Sequence, residues 1–227
     1  MNMNPNLEDK QIHKIRVIWV NICRFILAAV FIFSGFVKAN DPWGTVYKIQ
    51  DYMEAWGIAH MFPDVTPFLS ALVMGVLEFT LGFYLLVGIR RRLVATLLLL
   101  MMAFMTPLTL WLAIANPISD CGCFGDAVIL TNWETFWKNV GLLIAAISVF
   151  KWRKTLLLKW VTDKVDWLMA LYGVIFIIFF SIYSIRELPV FDFRPYHIGA
   201  DIRKGMEIPD GEKPTAVSYT HLRAHET

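Results

Sequence analysis

The sequence predicts an all-α integral membrane protein: a four-helix transmembrane bundle plus a fifth transmembrane helix. Three observations carry that expectation. Of the 227 residues, 57% are hydrophobic and only 18% are Asp, Glu, Lys or Arg, with a mean hydropathy of +0.53, whereas soluble domains run near a quarter charged. The apolar residues gather into five runs that match or approach the length needed to cross a bilayer, about 20 residues. Between those runs, basic residues fall on alternate loops. A net charge of +2 is too balanced for binding through phosphate neutralisation, so nucleic acid is excluded as a partner and the lipid bilayer is expected instead. Three cysteines do not make a secreted disulfide scaffold.

Residues 1–14 are expected to form a cytoplasmic N-terminus, and residues 15–151 a four-helix membrane domain. The first span, residues 15–37, carries Cys23 and Arg24 and lacks a small-residue cleavage site after it, so it reads as a span rather than a signal peptide. Residues 67–88 follow, with Glu78 at their midpoint. Residues 93–115 form a third run, interrupted by Pro107. The fourth run, residues 135–150, is short and amphipathic at its start. A fifth helix is expected over residues 165–186. Residues 187–216 then begin an extracytoplasmic tail, and Val217 to Thr227 (VSYTHLRAHET) resemble one reading frame of a transposase sequencing adapter and are set aside as an artefact.

Orientation follows from charge. Lys10, Lys14 and Arg16 precede the first span, Arg90, Arg91 and Arg92 fill the second-to-third turn, and Lys151, Arg153, Lys154, Lys159 and Lys164 follow the fourth. The opposite loops hold only Lys38 and Lys48, which places the N-terminus in the cytoplasm. Between the first two spans, Val46, Ile49, Met53 and Trp56 share a helical face, with Lys48, Asp51 and Glu54 on or near the other. That spacing suits an amphipathic helix lying on the outer membrane surface.

Chemistry is expected in the outer loop between the third and fourth spans, at Asp120-Cys121-Gly122-Cys123-Phe124-Gly125-Asp126. The orientation exposes the Cys121/Cys123 pair to an oxidising compartment. Thiols this close in sequence approach bonding distance only if the chain bends, and Gly122 and Gly125 allow that bend. A ring so small closes little chain entropy, which weakens a purely structural role, and its strain makes it a labile, oxidising pair. Three uses stay open: redox exchange, a structural staple, or metal binding. Two thiolates would suit Cu(I), but His60 is the one other good donor in the facing loop apart from Met61 and carboxylates, so no coordination set is expected. In the linear sequence no cation flanks the pair, and Asp120 and Asp126 would raise a thiol pKa. Thr131 and Glu134 have the spacing of a capping box for the next helix.

Glu78 is the second candidate, because an ionisable group near the bilayer centre is a functional hypothesis by default. Arg24 is its expected intramembrane partner; the pair fixes helix register or forms a proton or quinol head-group site. Cys23 reads as a small hydrophobe. Ser34, Gly35 and Gly82 suit close helix packing. Lys38 is expected to snorkel to the interface, and Met101 and Met102 to belong to the core.

The segment Phe33-Ser34-Gly35-Phe36-Val37-Lys38, the glutamate of the second span, the Arg-rich turn and Asp120-Cys121-Gly122-Cys123-Phe124-Gly125 together resemble the DoxX/MauE group of small bacterial membrane proteins, over about residues 17–150. The resemblance implies a four-helix bundle with a thiol pair at its outer face, and a role in disulfide formation or maturation linked to methylamine utilisation. The architecture is similar to that of DsbB and vitamin K epoxide reductase, which implies quinone as the candidate cofactor. Those proteins use Cys-x-x-Cys where this chain has Cys-x-Cys. The leading expectation is a thiol–disulfide factor of the bacterial inner membrane, with Cys121 and Cys123 acting on a periplasmic thioredoxin-like protein or maturation client. The alternatives are a non-catalytic accessory or scaffold subunit, and a small-solute or copper transport protein.

Overall fold

Each apolar run of the sequence becomes a helix, because a backbone in hydrocarbon must satisfy its own hydrogen bonds. The computed structural model describes residues 5–118, 121–155, 162, 164–187 and 189–193. Six α-helices follow in order: α1 (Pro5–Asn40), α2 (Pro42–Ala55), α3 (Val65–Val87), α4 (Arg91–Ala115), α5 (Asn132–Lys151) and α6 (Asp166–Arg186), with short 3-10 turns between. No strand occurs among the described residues. One compact unit spans Met1–Phe191 and the remainder forms a second; only the first is described below. The extracytoplasmic tail expected over residues 187–216 lies almost wholly outside the described residues, as do Lys159 and the adapter-like residues 217–227.

Helices α1, α3, α4 and α5 form the expected bundle around one core, in which Val20, Cys23 and Leu27 of α1 meet Leu81 and Leu85 of α3, Leu98 and Met102 of α4, and Leu142 and Val149 of α5. Cys23 is a core hydrophobe, as expected. The tightest pairing is α1 against α3. A Cβ on Gly35 would lie 2.7 Å from the Gly75 carbonyl oxygen, and one on Gly82 would lie 2.7 Å from the Ile32 nitrogen, so only glycine lets these backbones approach. Across the α4–α5 contact, the Asn139 amide donates to the Thr109 hydroxyl (3.2 Å), and the Asn132 amide donates to Asn116 Oδ1 and the Ile118 carbonyl (both 2.8 Å). Helix α6 packs outside α1 and α3 through Ile177 and Phe180, against Phe36 and Phe79.

Two expectations are met in part. Among the described residues, four helices are long and apolar enough to cross a membrane: α1, α3, α4 and α6. Helix α5 is 20 residues long but carries Asn132, Glu134, Lys138 and Asn139 in its first half, which dilutes its apolar run. The five-span count is therefore not met by length and apolarity. Helix α2 does form, capped by Asp41, whose carboxylate accepts from the Gly44 N–H (3.0 Å). It packs against α3 and buries Val46 and Met53, while Trp56 is exposed and Lys48 is half-buried rather than on a solvated face.

Candidate functional site

At one end of the bundle α1 and α4 finish, α3 and α5 begin, and α2 lies across. The loop from Asn116 to Thr131 closes this end. Its second anchor is the expected capping box: Thr131 Oγ1 accepts from the Glu134 N–H (3.3 Å), and Glu134 Oε2 accepts from the Thr131 N–H (2.9 Å). Within the loop, Gly122 and Gly125 both have positive φ, +68° and +51°, a region that disfavours side chains. Gly122 sits on the Lys48 stem, where a Cβ would come 2.9 Å from Lys48 Cγ. The bend brings Cys121 Sγ within 2.9 Å of Cys123 Sγ. A disulfide needs about 2.05 Å, so the sulfurs stand less than an ångström from bonding distance.

Beneath Cys123 lies a buried polar cluster. Lys38 Nζ donates to Glu78 Oε2 (2.7 Å), to Ser34 Oγ (2.8 Å) and to the Cys123 carbonyl (2.8 Å). Ser34 Oγ lies 2.7 Å from both Glu78 Oε2 and the Cys123 carbonyl. The Tyr52 hydroxyl donates to the Cys121 carbonyl (3.1 Å). Phe124 packs edge-on against Phe33, and Lys138 Nζ stands 4.0 Å above the Phe124 ring.

This arrangement separates the two thiols. The Cys123 thiol is pushed down to about 6 by its hydrogen bond from Cys121, helped by the Lys138 and Lys38 charges and opposed by burial and Glu78. The Cys121 thiol is pushed up, first because it donates that hydrogen bond and then by burial. The asymmetry favours the thiolate on Cys123 and the proton on Cys121.

The expected Arg24–Glu78 pair does not form. Arg24 is fully buried, but its Nε donates to the Leu85 carbonyl (2.8 Å) and its Nη2 to the Leu86 carbonyl (2.6 Å). It thus serves carbonyls left open at the C-terminus of α3, where a cation also meets the negative end of the helix dipole. Lys38, expected to snorkel, is the buried partner of Glu78. Ser34, expected only to pack, belongs to the same cluster. Asp120 lies outside the described residues, and Asp126 is exposed in the 3-10 turn Gly125–Ala127. Lys38 and Lys138 are distant from the thiols in sequence, so flanking residues gave no sign of a cation.

A cavity of about 420 Å³ opens beside the pair, lined by Cys121 and Cys123 together with Lys48, Tyr52, Trp56 and Phe104. A smaller one of about 40 Å³, on whose wall Glu78 and Met102 lie, also reaches Cys123. Among the described residues no group of three or more His, Cys, Asp or Glu could hold a metal ion.

A helical membrane bundle that closes one end with a bent, cation-supported dithiol loop defines the class. The chain belongs to the MauE family: the family described as methylamine utilisation protein MauE matches residues 16–151, more than half of the sequence and all four bundle helices. The likeness to DoxX rests on the motif residues alone. No curated protein and no solved structure matches the chain. It is thus a multi-pass membrane protein of the methylamine-utilisation type.

Proposed function

We propose that the chain is a thiol–disulfide exchange factor of the bacterial inner membrane, supporting maturation of a periplasmic client. The observation that carries this reading is the 2.9 Å approach of Cys121 and Cys123 with the thiolate favoured on Cys123. In the oxidised state the two sulfurs are bonded. A client or thioredoxin-like thiolate attacks one sulfur, a mixed disulfide forms, and the client's second thiolate displaces the loop cysteine. The client leaves with its own disulfide, and two electrons and the Cys121 proton stay on the loop. Cys123 is the better leaving group because its thiolate is stabilised, so the first attack falls on Cys121.

Re-oxidation needs a two-electron acceptor, and a membrane quinone would supply it. The cavity beside the thiols suits such a ring, with Trp56 and Phe104 as aromatic walls and Tyr52 and Lys48 as polar groups near the sulfurs. Here the chain's own residues orient the acceptor, exclude water and hold the Cys121 proton until the S–S bond closes. In this reading α5 crosses the bilayer, the N-terminus is cytoplasmic, and the cysteine loop and tail face the periplasm.

The test is the redox state of the pair in intact membranes of a Cys23→Ser background, read by an impermeant maleimide. Partial labelling that rises with mild reductant and falls when a quinone is added is the expected result. A pair that resists mild reductant altogether is a structural staple, and the exchange reading then fails.

A further inference from the structure

Five of the ten methionines, Met53, Met74, Met101, Met102 and Met105, line the two cavities that meet at Cys123. Met74 of α3, Met105 of α4 and Cys123 of the loop line both, so three sulfur-bearing side chains from separate elements share the wall between them. Cys121 stands beside them with its sulfur 2.9 Å from that of Cys123. We propose that this end of the bundle holds a single monovalent soft metal ion, Cu(I), bound by the reduced Cys121/Cys123 pair and by the thioethers of Met74 and Met105.

The donor chemistry selects the metal. Thiolates and thioethers are soft and favour Cu(I), whereas zinc and calcium draw on imidazole and carboxylate. Among the described residues no cluster of three His, Cys, Asp or Glu exists, and the donors that both cavities share are the sulfur-bearing Met74, Met105 and Cys123. Thiolate ligands must be deprotonated, and the bend already sets the two sulfurs side by side at 2.9 Å, facing one small ion. Lys138 and the Lys38–Glu78 pair stand at the same end, and their net positive charge disfavours a divalent ion more than a monovalent one. The ion and the disulfide exclude each other, since a bonded sulfur pair offers no thiolate. The inference uses the same cysteines as the proposed exchange but does not depend on it.

Methionine also fills irregular gaps in apolar cores, and Met→Leu separates the two roles because it keeps volume while removing the donor. The full chain in detergent, with Cys23→Ser, is reduced anaerobically and titrated with Cu(I) against a colorimetric Cu(I) chelator. One ion per chain is expected. Met74→Leu combined with Met105→Leu lowers the affinity about tenfold or more, with melting temperature and metal-free alkylation of Cys123 unchanged. Each single variant gives a smaller loss, which keeps the test open if the double variant folds poorly. A parent chain that yields all its copper to the chelator overturns the proposal, and so do leucine variants that bind as the parent does. Because metal-free protein is used for the maleimide assay, a failure of thiol exchange and a failure of copper binding are read separately.

Discussion

Lys38 uses its three ammonium protons on Glu78, Ser34 and the Cys123 carbonyl, which fixes the loop and the local charge together. Lys138 adds a second cation from α5 and is half-buried at the surface, so it can be changed without opening the core. Lys138→Gln removes a charge that favours the thiolate, and the pKa of Cys123 must therefore rise from about 6. The alkylation rate at pH 6 is expected to fall about two- to threefold while the rate at pH 9 stays the same; an unchanged pH profile would show that Lys138 does not act on Cys123. Gly122→Ala tests the bend instead. With φ at +68° and Lys48 Cγ under the missing Cβ, the substitution costs about 1–2 kcal/mol locally. The sulfurs should separate, so that disulfide formation with a mild oxidant slows, while the bundle still folds and melts only a few degrees below the parent. The cysteine loop and its glycines were legible in the sequence because they are contiguous. The cations were not, because Lys38 and Lys138 reach the thiols only through helix packing.

At the scale of helices, the α1–α3 register explains both the buried pair and the error about it. Gly35 lies against Gly75 and Phe79, and Gly82 against Ala28 and Ile32. That antiparallel register sets Glu78 level with Ser34 and Lys38, and leaves Arg24 level with the C-terminal turn of α3. Aligning the centres of two apolar runs misplaces them, because α1 continues to Asn40, past the apolar residues that marked its span. Packing glycines were therefore the better guide to register than hydropathy. Glu78→Gln and Arg24→Ala are expected to destabilise additively, since they touch different groups. Lys38→Met and Glu78→Leu should couple strongly: either alone strands a buried charge at a cost of roughly 3–5 kcal/mol, and the two together recover most of it. Thermal unfolding of the four detergent-solubilised chains of each cycle reads both outcomes, and coupling in the Arg24 cycle would contradict the register.

For the whole molecule, topology turns on α5. Its core face, with Leu142, Ala145, Ala146 and Val149, is buried among α1, α3 and α4, so the bundle is complete whether or not α5 is counted as a span. Its length of 20 residues gives about 30 Å of rise, enough for the hydrocarbon core, and its polar first turns start at the same level as the cysteine loop. Composition marks α5 only weakly as a span for this reason: a helix packed against α1 and α4 needs no continuous apolar surface to lie at membrane depth. Basic residues decide the remainder. Arg90, Arg91 and Arg92 stand at the end of the bundle opposite Cys121 and Cys123, and Lys151, Arg153 and Lys154 stand where α5 finishes. If α5 crosses, those two basic groups share the cytoplasmic side. A cysteine introduced as Lys154→Cys, with the three native cysteines replaced by serine, should then react with an impermeant maleimide only after cells are permeabilised. Cys121, kept as the lone cysteine in a parallel chain, should react in intact cells. Equal reaction of both in intact cells would make α5 a re-entrant helix, and α6 would then carry the chain to the opposite side from the one proposed.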